Sequence, residues 1–323
     1  MKILIYNSGG GLGDSIQLFD LITSLKEKYG EEQLYYLSAH NNHFNNSLRK
    51  YNNQLKELKT DIIYFGFRLW HLFCSKKKIL KDNFIERFDL IIDLQSKLRN
   101  TIILKQFPCN NFYSATFNFK FCNVRQDYLS SKYEIKNIIL NIEKLLDTKI
   151  QHKKYDVNKI DSTYFDEAKR LLPGKNYIGF AITQGNKYRK KSWPLEKFIN
   201  VAKEITKKNK TPVFFIEKEN LELIVKIKNE LNNALFPELE TTLSGPPLVS
   251  ALSTRLEKAI SIDNGIMHMI GLANIPMIVL FGPTSSKKFA PKINKIDILD
   301  SNLIYNSSDI SKISEYDVLN LLK

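Results

Sequence analysis

Residues 259–283, AISIDNGIMHMIGLANIPMIVLFGP, hold two short apolar runs with a helical pattern between them. The first run closes on Asp263-Asn264-Gly265, and the second on Gly282-Pro283. Short apolar runs bounded by turn residues fit strands buried on both faces. The intervening residues 265–274 are long enough to be a crossover helix, which is the connection that parallel strands require. The stretch therefore predicts a parallel sheet. Ligands of such sheets sit outside the carboxyl ends of the strands, where Asp263, Asn264 and Gly265 fall.

The same alternation extends outward in both directions. In the second half of the chain, strands at 176–182 and 211–217 alternate with helices at 166–172, 194–208, 220–231 and 247–258, and a helix at 314–323 closes the chain. In the first half, strands are expected at 3–6, 33–39, within 57–66 and at 88–95, with helices at 15–28 and 132–150. The chain from Phe112 onward reads as irregular and aromatic. The polar stretch 151–165 has no clear period and reads as an interdomain connection. The prediction is α/β, with two Rossmann-like doubly wound parallel-sheet domains at 1–155 and 156–310, followed by a C-terminal helix in 311–323.

The composition is that of a globular protein. The chain has 323 residues, 43% hydrophobic and 25% charged, enough for two cores. Cys74, Cys109 and Cys122 have no metal-ligand spacing and an odd count, which fits free thiols in a reducing compartment. No apolar run approaches the ~18 residues of a membrane span, and residues 3–6 are too short for a signal-peptide core. A cytoplasmic location is the expectation. The net charge of +14 suits nucleic acid, an anionic membrane surface or phosphorylated substrates, or reflects a Lys-, Asn- and Ile-rich composition alone. No zinc-finger spacing and no RNA-binding aromatic motif accompanies it.

Three loops carry candidate chemistry. Gly9, Gly10, Gly11 and Gly13 follow the first strand, but their spacing is not that of a dinucleotide loop. Where a Walker loop has lysine, Gly13 is followed by Asp14, which would repel phosphate. Asp14 and Gln17 have capping-box spacing, so Asp14 reads as a helix cap, as a base for a hydroxyl or amine, or as both. Lys187, Arg189, Lys190 and Lys191 follow the strand at 176–182 and precede Trp193-Pro194, a pattern that suits a diphosphate or a solvated basic loop. Asp263-Asn264-Gly265 is an ordinary turn, or a helix entrance where an anion meets free N–H groups and Asp263 accepts from sugar hydroxyls. His268 lies one turn on, either beside that anion or in the core.

Taken in order, these pieces resemble a known family. They are Gly11-x-Gly13-Asp14 before a helix, DLIIDLQ at 89–95, Lys191-x-Trp193-Pro194, Asp263-x-Gly265-x-x-His268, and FGPT at 281–284. Together, from Met1 to about Ala290, they resemble glycosyltransferase family 9, the ADP-heptose:lipopolysaccharide heptosyltransferases. The resemblance implies a GT-B fold, with two Rossmann-like domains facing a central cleft, acceptor on the N-terminal side and nucleotide sugar on the C-terminal side. It implies that the C-terminal helix packs back on the first domain. Asp14 matches the catalytic base of an inverting transfer, and Lys191 the lysine on the donor diphosphate. Asp263 matches the contact to the transferred sugar, and Asn264, Gly265 and His268 flank the phosphates. Thr183 and Gln184 fall near the leaving phosphate and Glu217 near the base or ribose. Gly11, Gly13, Gln95 and Lys97 form the acceptor-side loops.

No metal or cofactor is implied beyond the nucleotide-sugar co-substrate, expected to be ADP-heptose. The implied acceptor is a lipid-linked or lipopolysaccharide-core saccharide, with peripheral contact to the anionic inner membrane and no nucleic acid. The chain departs from the family pattern at Phe19, where proline is usual, at Asn264, where Thr or Ser is common, and in the basic loop, where Lys190 competes with Lys191. Two other readings stay open: a related GT-B enzyme with another nucleotide sugar for surface polysaccharide, and a non-catalytic basic nucleotide- or nucleic-acid-binding protein.

Overall fold

A computed structural model describes residues 1–38, 42–62, 64–73, 76–130, 134–185, 188 and 190–322. The chain forms two compact units, Met1–Tyr155 and Asp156–Lys323. Cys74, Lys187 and Arg189 lie outside the described residues.

The first unit is a five-stranded, all-parallel sheet of β1 (Ile3–Asn7), β2 (Leu34–Ser38), β3 (Lys56–Glu57), β4 (Phe88–Asp93) and β5 (Cys109–Ser114), in the order β3-β2-β1-β4-β5. All five residues of β1 are buried, as a central strand covered on both faces must be. Strand order reverses between β1 and β4, so the crevice of this sheet opens beyond Asn7 and Asp93. On one face, Tyr6, Phe88 and Phe112 share a cluster with Ile103 and Phe107. On the other, Phe19 packs its ring against Phe44, Tyr51 and Tyr155, which accounts for an aromatic where the family pattern has proline.

The second unit is also five-stranded and all parallel. Its strands are β6 (Tyr177–Ala181), β7 (Thr211–Phe214), β8 (Lys258–Ile262), β9 (Met277–Phe281) and β10 (Ile296–Asp300), in the order β10-β9-β8-β6-β7. Its reversal falls between β6 and β8, beyond Ala181 and Ile262. The βαβ unit read from 259–283 is present as β8, helix Gly265–Leu272 and β9.

Several elements differ from expectation. The strand sought within 57–66 is only the two-residue edge strand β3, because the side chain of Asn83 takes both the N–H and the carbonyl of Lys59, each at 2.8 Å, where a strand ladder would need them. Residues 109–114, read as partly irregular, form β5, and β10 was not anticipated. The first helix is broken in two, Leu12–Ile16 and Phe19–Tyr29. Within the second unit, the closing helix Glu315–Asn320 packs on helix Leu195–Lys207, and Val318 is fully buried in that unit's core.

Candidate active site

The glycine loop sits at the switch point of the first sheet and is built around a carboxylate. The helix starts earlier than the sequence spacing suggested. Gly11 is the N-cap with extended backbone, and Asp14 is the third helical residue instead of the cap. The Asp14 carboxylate reaches back to accept the Gly11 N–H at 3.2 Å. Gly9 packs directly on this side chain, leaving no space for a Cβ between them. The glycines therefore accommodate Asp14, and Asp14 stays half-buried at the rim. Gly13 is buried in the first turn.

Asn7, at the end of β1, joins this loop to the neighbouring one. Its side-chain oxygen accepts the Gly9 N–H at 3.0 Å and the Gln95 amide at 2.6 Å. Gln95 and the Asp14 loop are thus brought together, while Lys97 is exposed at the start of helix Leu98–Leu104. Asp93 is the loop's structural floor. Its carboxylate accepts Thr101 at 2.6 Å, Ser114 at 2.8 Å and the Gln95 N–H at 3.0 Å, and burial holds its pKa above the usual carboxylate range. His43 was missed from sequence. Its Nε2 lies 3.2 Å from the Gly10 carbonyl, and nothing in its local sequence marks it.

At the switch point of the second sheet, Lys191 forms an ion pair with Asp263. The two side chains are only 13% and 7% exposed, which separates Lys191 from exposed Lys190. Thr284, from the FGPT loop after β9, donates to the same Asp263 oxygen at 2.6 Å. Gln184 accepts the Lys191 N–H at 2.8 Å, holding the end of the basic loop. A charge pair this deep is costly to break, about 3–5 kcal/mol when one partner is removed.

Asn264 accounts for its own departure from the family pattern. Its oxygen caps helix Gly265–Leu272 by accepting the Met267 N–H at 2.8 Å, and its amide donates to the Thr183 carbonyl at 2.8 Å. One side chain thus ties the loop after β8 to the loop after β6. The first N–H groups of this helix, at Gly265 and Ile266, have no partner within it and carry the positive end of its dipole. A Cβ at Gly265 would meet no atom within 4 Å. His268 is buried on the same helix.

Glu217 is exposed beyond the end of β7. Lys218 donates to the Thr241 carbonyl and fastens this segment to the loop at 237–241. There Glu238 is buried, and its pKa is pushed up to about 7, first by burial and then by Glu217 and Glu219, with Lys218 opposing. A Pro-Glu-Leu-Glu turn gave no hint of that environment. Among the described residues, no three His, Cys, Asp or Glu side chains group as metal ligands, and no helix is long and apolar enough to cross a membrane.

Comparison with known proteins agrees with this architecture. The family model of glycosyltransferase family 9 (heptosyltransferase) matches residues 77–318, a span that contains the Lys191–Asp263 cluster and begins after the Asp14 loop. A comparison with curated proteins gave no match. Among solved structures, a family 9 glycosyl transferase from Veillonella parvula superposes with a TM-score of 0.69 at 19% identity, over 99% of this chain and 95% of that one. The E. coli heptosyltransferase WaaC with ADP gives 0.65 at 12% identity, over 100% and 99%. E. coli ADP-heptose lps heptosyltransferase II gives 0.63 at 15% identity, over 100% and 97%. At these identities the likeness establishes the fold, which is GT-B.

Proposed function

Since the chain belongs to glycosyltransferase family 9, and is on that ground a glycosyltransferase, we propose that it moves heptose from ADP-heptose to a lipopolysaccharide-core-like saccharide, inverting the anomeric carbon without a metal. The observation that carries this reading is the Asp14 carboxylate, held by the Gly11 N–H and packed against Gly9 where a sugar hydroxyl can reach it. Asp14 takes the proton of the acceptor hydroxyl. That oxygen attacks the anomeric carbon from the face opposite the diphosphate, the carbon–oxygen bond to the phosphate breaks, and ADP leaves.

Negative charge then grows on the leaving phosphate. Lys191 supplies a fixed positive charge for it, and the N–H groups at the start of helix Gly265–Leu272 supply oriented dipoles. Asp263 serves two partners in turn. It neutralises Lys191 in the empty protein, and it accepts from hydroxyls of the transferred sugar once the diphosphate engages the lysine. Thr183 and Gln184 line the leaving-phosphate side, and Glu217 lies toward the ribose. The ADP named with the E. coli enzyme supports an adenine nucleotide as the donor's carrier. Association with the inner membrane's cytoplasmic face follows from a lipid-linked acceptor.

Asp14→Ala tests the assignment. The variant is expected to keep donor-dependent thermal stabilisation and to lose about 100-fold or more in turnover, the range of general-base catalysis. Turnover equal to that of the unsubstituted chain would remove Asp14 from the mechanism.

A further inference from the structure

Residues 64–73 of the first unit form a segment fastened from within. His71 is 1% exposed and accepts the Gly66 N–H on Nδ1 at 2.9 Å, with its ring stacked 5.8 Å from that of Phe65. The Tyr6 hydroxyl donates to the Phe65 carbonyl at 2.8 Å, and Arg99 donates to the Gly66 carbonyl at 2.9 Å. Gly66 has φ +89°, and a Cβ there would stand 2.2 Å from the Tyr6 hydroxyl oxygen, so the turn admits only glycine. The outward side of this anchored segment is apolar. On the short 3-10 helix Leu69–Phe73, Leu69 is 67% exposed, Trp70 58% and Phe73 89%. Helix Leu98–Leu104 packs beside it and leaves Leu98 exposed as well.

The surroundings are basic. Exposed Arg68, Lys77, Lys78 and Lys97 flank the apolar residues in sequence or through that helix contact, with Lys78 paired to exposed Asp61 at 2.7 Å. Residues 1–155 hold 24 Lys and Arg against 15 Asp and Glu, a net +9, whereas residues 156–323 hold 24 against 19, a net +5. A second copy of the chain on this patch would set like charge against like. Exposed tryptophan and phenylalanine with a lysine rim suit the headgroup layer of an anionic bilayer, where aromatic rings sit at the interface and lysines meet the lipid charge.

We infer that Leu69, Trp70 and Phe73, with Lys77 and Lys78, form a membrane-docking platform for an anionic lipid surface. Phe65 and Gly66, which lead into the platform, contact Tyr6 and Asn100, and Tyr6 lies next to the last residue of β1, the strand that runs into the Asp14 loop. A lipid-linked acceptor held at the bilayer would thus be offered on the side where the base stands. The inference deepens the proposed function and rests on its lipid-linked acceptor, but it is tested by lipid binding without turnover.

The full chain is mixed with phosphatidylcholine vesicles, with and without roughly one-third phosphatidylglycerol, and followed by co-sedimentation and tryptophan emission. The chain has two tryptophans, and Trp193 is buried, so Trp70 is the reporter. Expected are binding that requires the anionic lipid and a blue shift of emission that Trp70→Phe removes without releasing the protein. Trp70→Ala combined with Phe73→Ala is expected to weaken binding at least about tenfold. Lys77→Ala and Lys78→Ala are each expected to weaken it about fivefold. An unchanged thermal transition in each variant shows that folding is intact. Three results overturn the inference: no vesicle binding, binding with Trp70 emission unchanged, or a lipid-independent blue shift that follows self-association in light scattering. Turnover on a lipid-free saccharide acceptor, measured separately, fails only if the proposed function fails.

Discussion

At Gly9 a Cβ would stand 2.9 Å from the Cβ of Asp14 and 3.0 Å from its carboxyl carbon. The first contact is closer than real Cβ atoms allow and the second is tighter than most, so Gly9→Ala must shift the carboxylate by some tenths of an ångström. A displacement of about 1 Å at a catalytic group costs roughly 100-fold in rate. The expected outcome is a fall in kcat of up to that order with little change in KM for the donor, whose proposed contacts lie in the other unit. Unchanged kcat would mean that the position of Asp14 is not rate-determining. Glu238 gives a prediction of a different kind. Its pKa is about 7 in the folded protein, above the ordinary glutamate value. Between those two values the folded chain holds a proton that the unfolded chain has released. Stability therefore falls as pH rises through that window and levels off above about pH 7. Glu238→Gln removes the loss. Its Tm should exceed that of the unsubstituted chain by about 2 °C or more at pH 8, with the difference vanishing near pH 4.5.

Trp193 fastens three elements together. Its indole N–H donates to the Ile313 carbonyl at 3.0 Å, and its ring meets Phe198 edge-on at 4.8 Å. Lys197, in the first turn of helix Leu195–Lys207, donates to the carbonyls of Ser311 and Ile313 at 2.8 and 2.9 Å. Ser314 then caps the closing helix Glu315–Asn320, which packs back onto helix Leu195–Lys207. The tryptophan of the Lys-x-Trp-Pro motif is thus a strut that holds the end of the basic loop, two residues from Lys191, to a fixed point. Trp193→Phe loses the hydrogen bond and should cost about 1 kcal/mol. Trp193→Ala also opens a cavity and should cost about 3–5 kcal/mol by urea unfolding. Weakened nucleotide binding should accompany the second change, because the Lys191 loop loses its anchor. A Trp193→Ala chain with undiminished stability would show that the contacts to the C-terminal segment are not coupled to the loop.

The parts of the molecule legible in the sequence were those set by local pattern. Buried parallel strands such as β1, β6 and β8 read as apolar runs, and the loops after them held Asp14, Lys191 and Asp263 as the topology rule requires. What escaped depends on partners distant in the chain. β5 begins Cys-Asn-Asn and is a strand because β4 pairs with it, and the residues after β3 leave the sheet because Asn83 occupies Lys59. Thr284 on Asp263, His43 at Gly10 and the buried Glu238 have no local signature, since each depends on contacts that only the folded chain makes. Each unit also keeps its own core, with one cluster between Leu4 and Phe112 and another between Ile178 and Val318. That separation permits a test of the donor site alone. In a Trp70→Phe chain the only tryptophan left is Trp193, buried in the second unit, so its emission reports the melting of that unit. A nucleotide that binds the native state at about 100 times its Kd adds about 2.7 kcal/mol, or roughly 5–10 °C for a unit of this size. ADP is expected to raise the Trp193 transition by that amount, with or without EDTA, and UDP, GDP and CMP to raise it far less. Equal shifts from all the diphosphates would reduce the site to diphosphate recognition through Lys191 and the helix start. A preference for UDP or GDP would replace the donor while leaving the family intact, and no shift from any nucleotide would overturn the donor site at the second switch point.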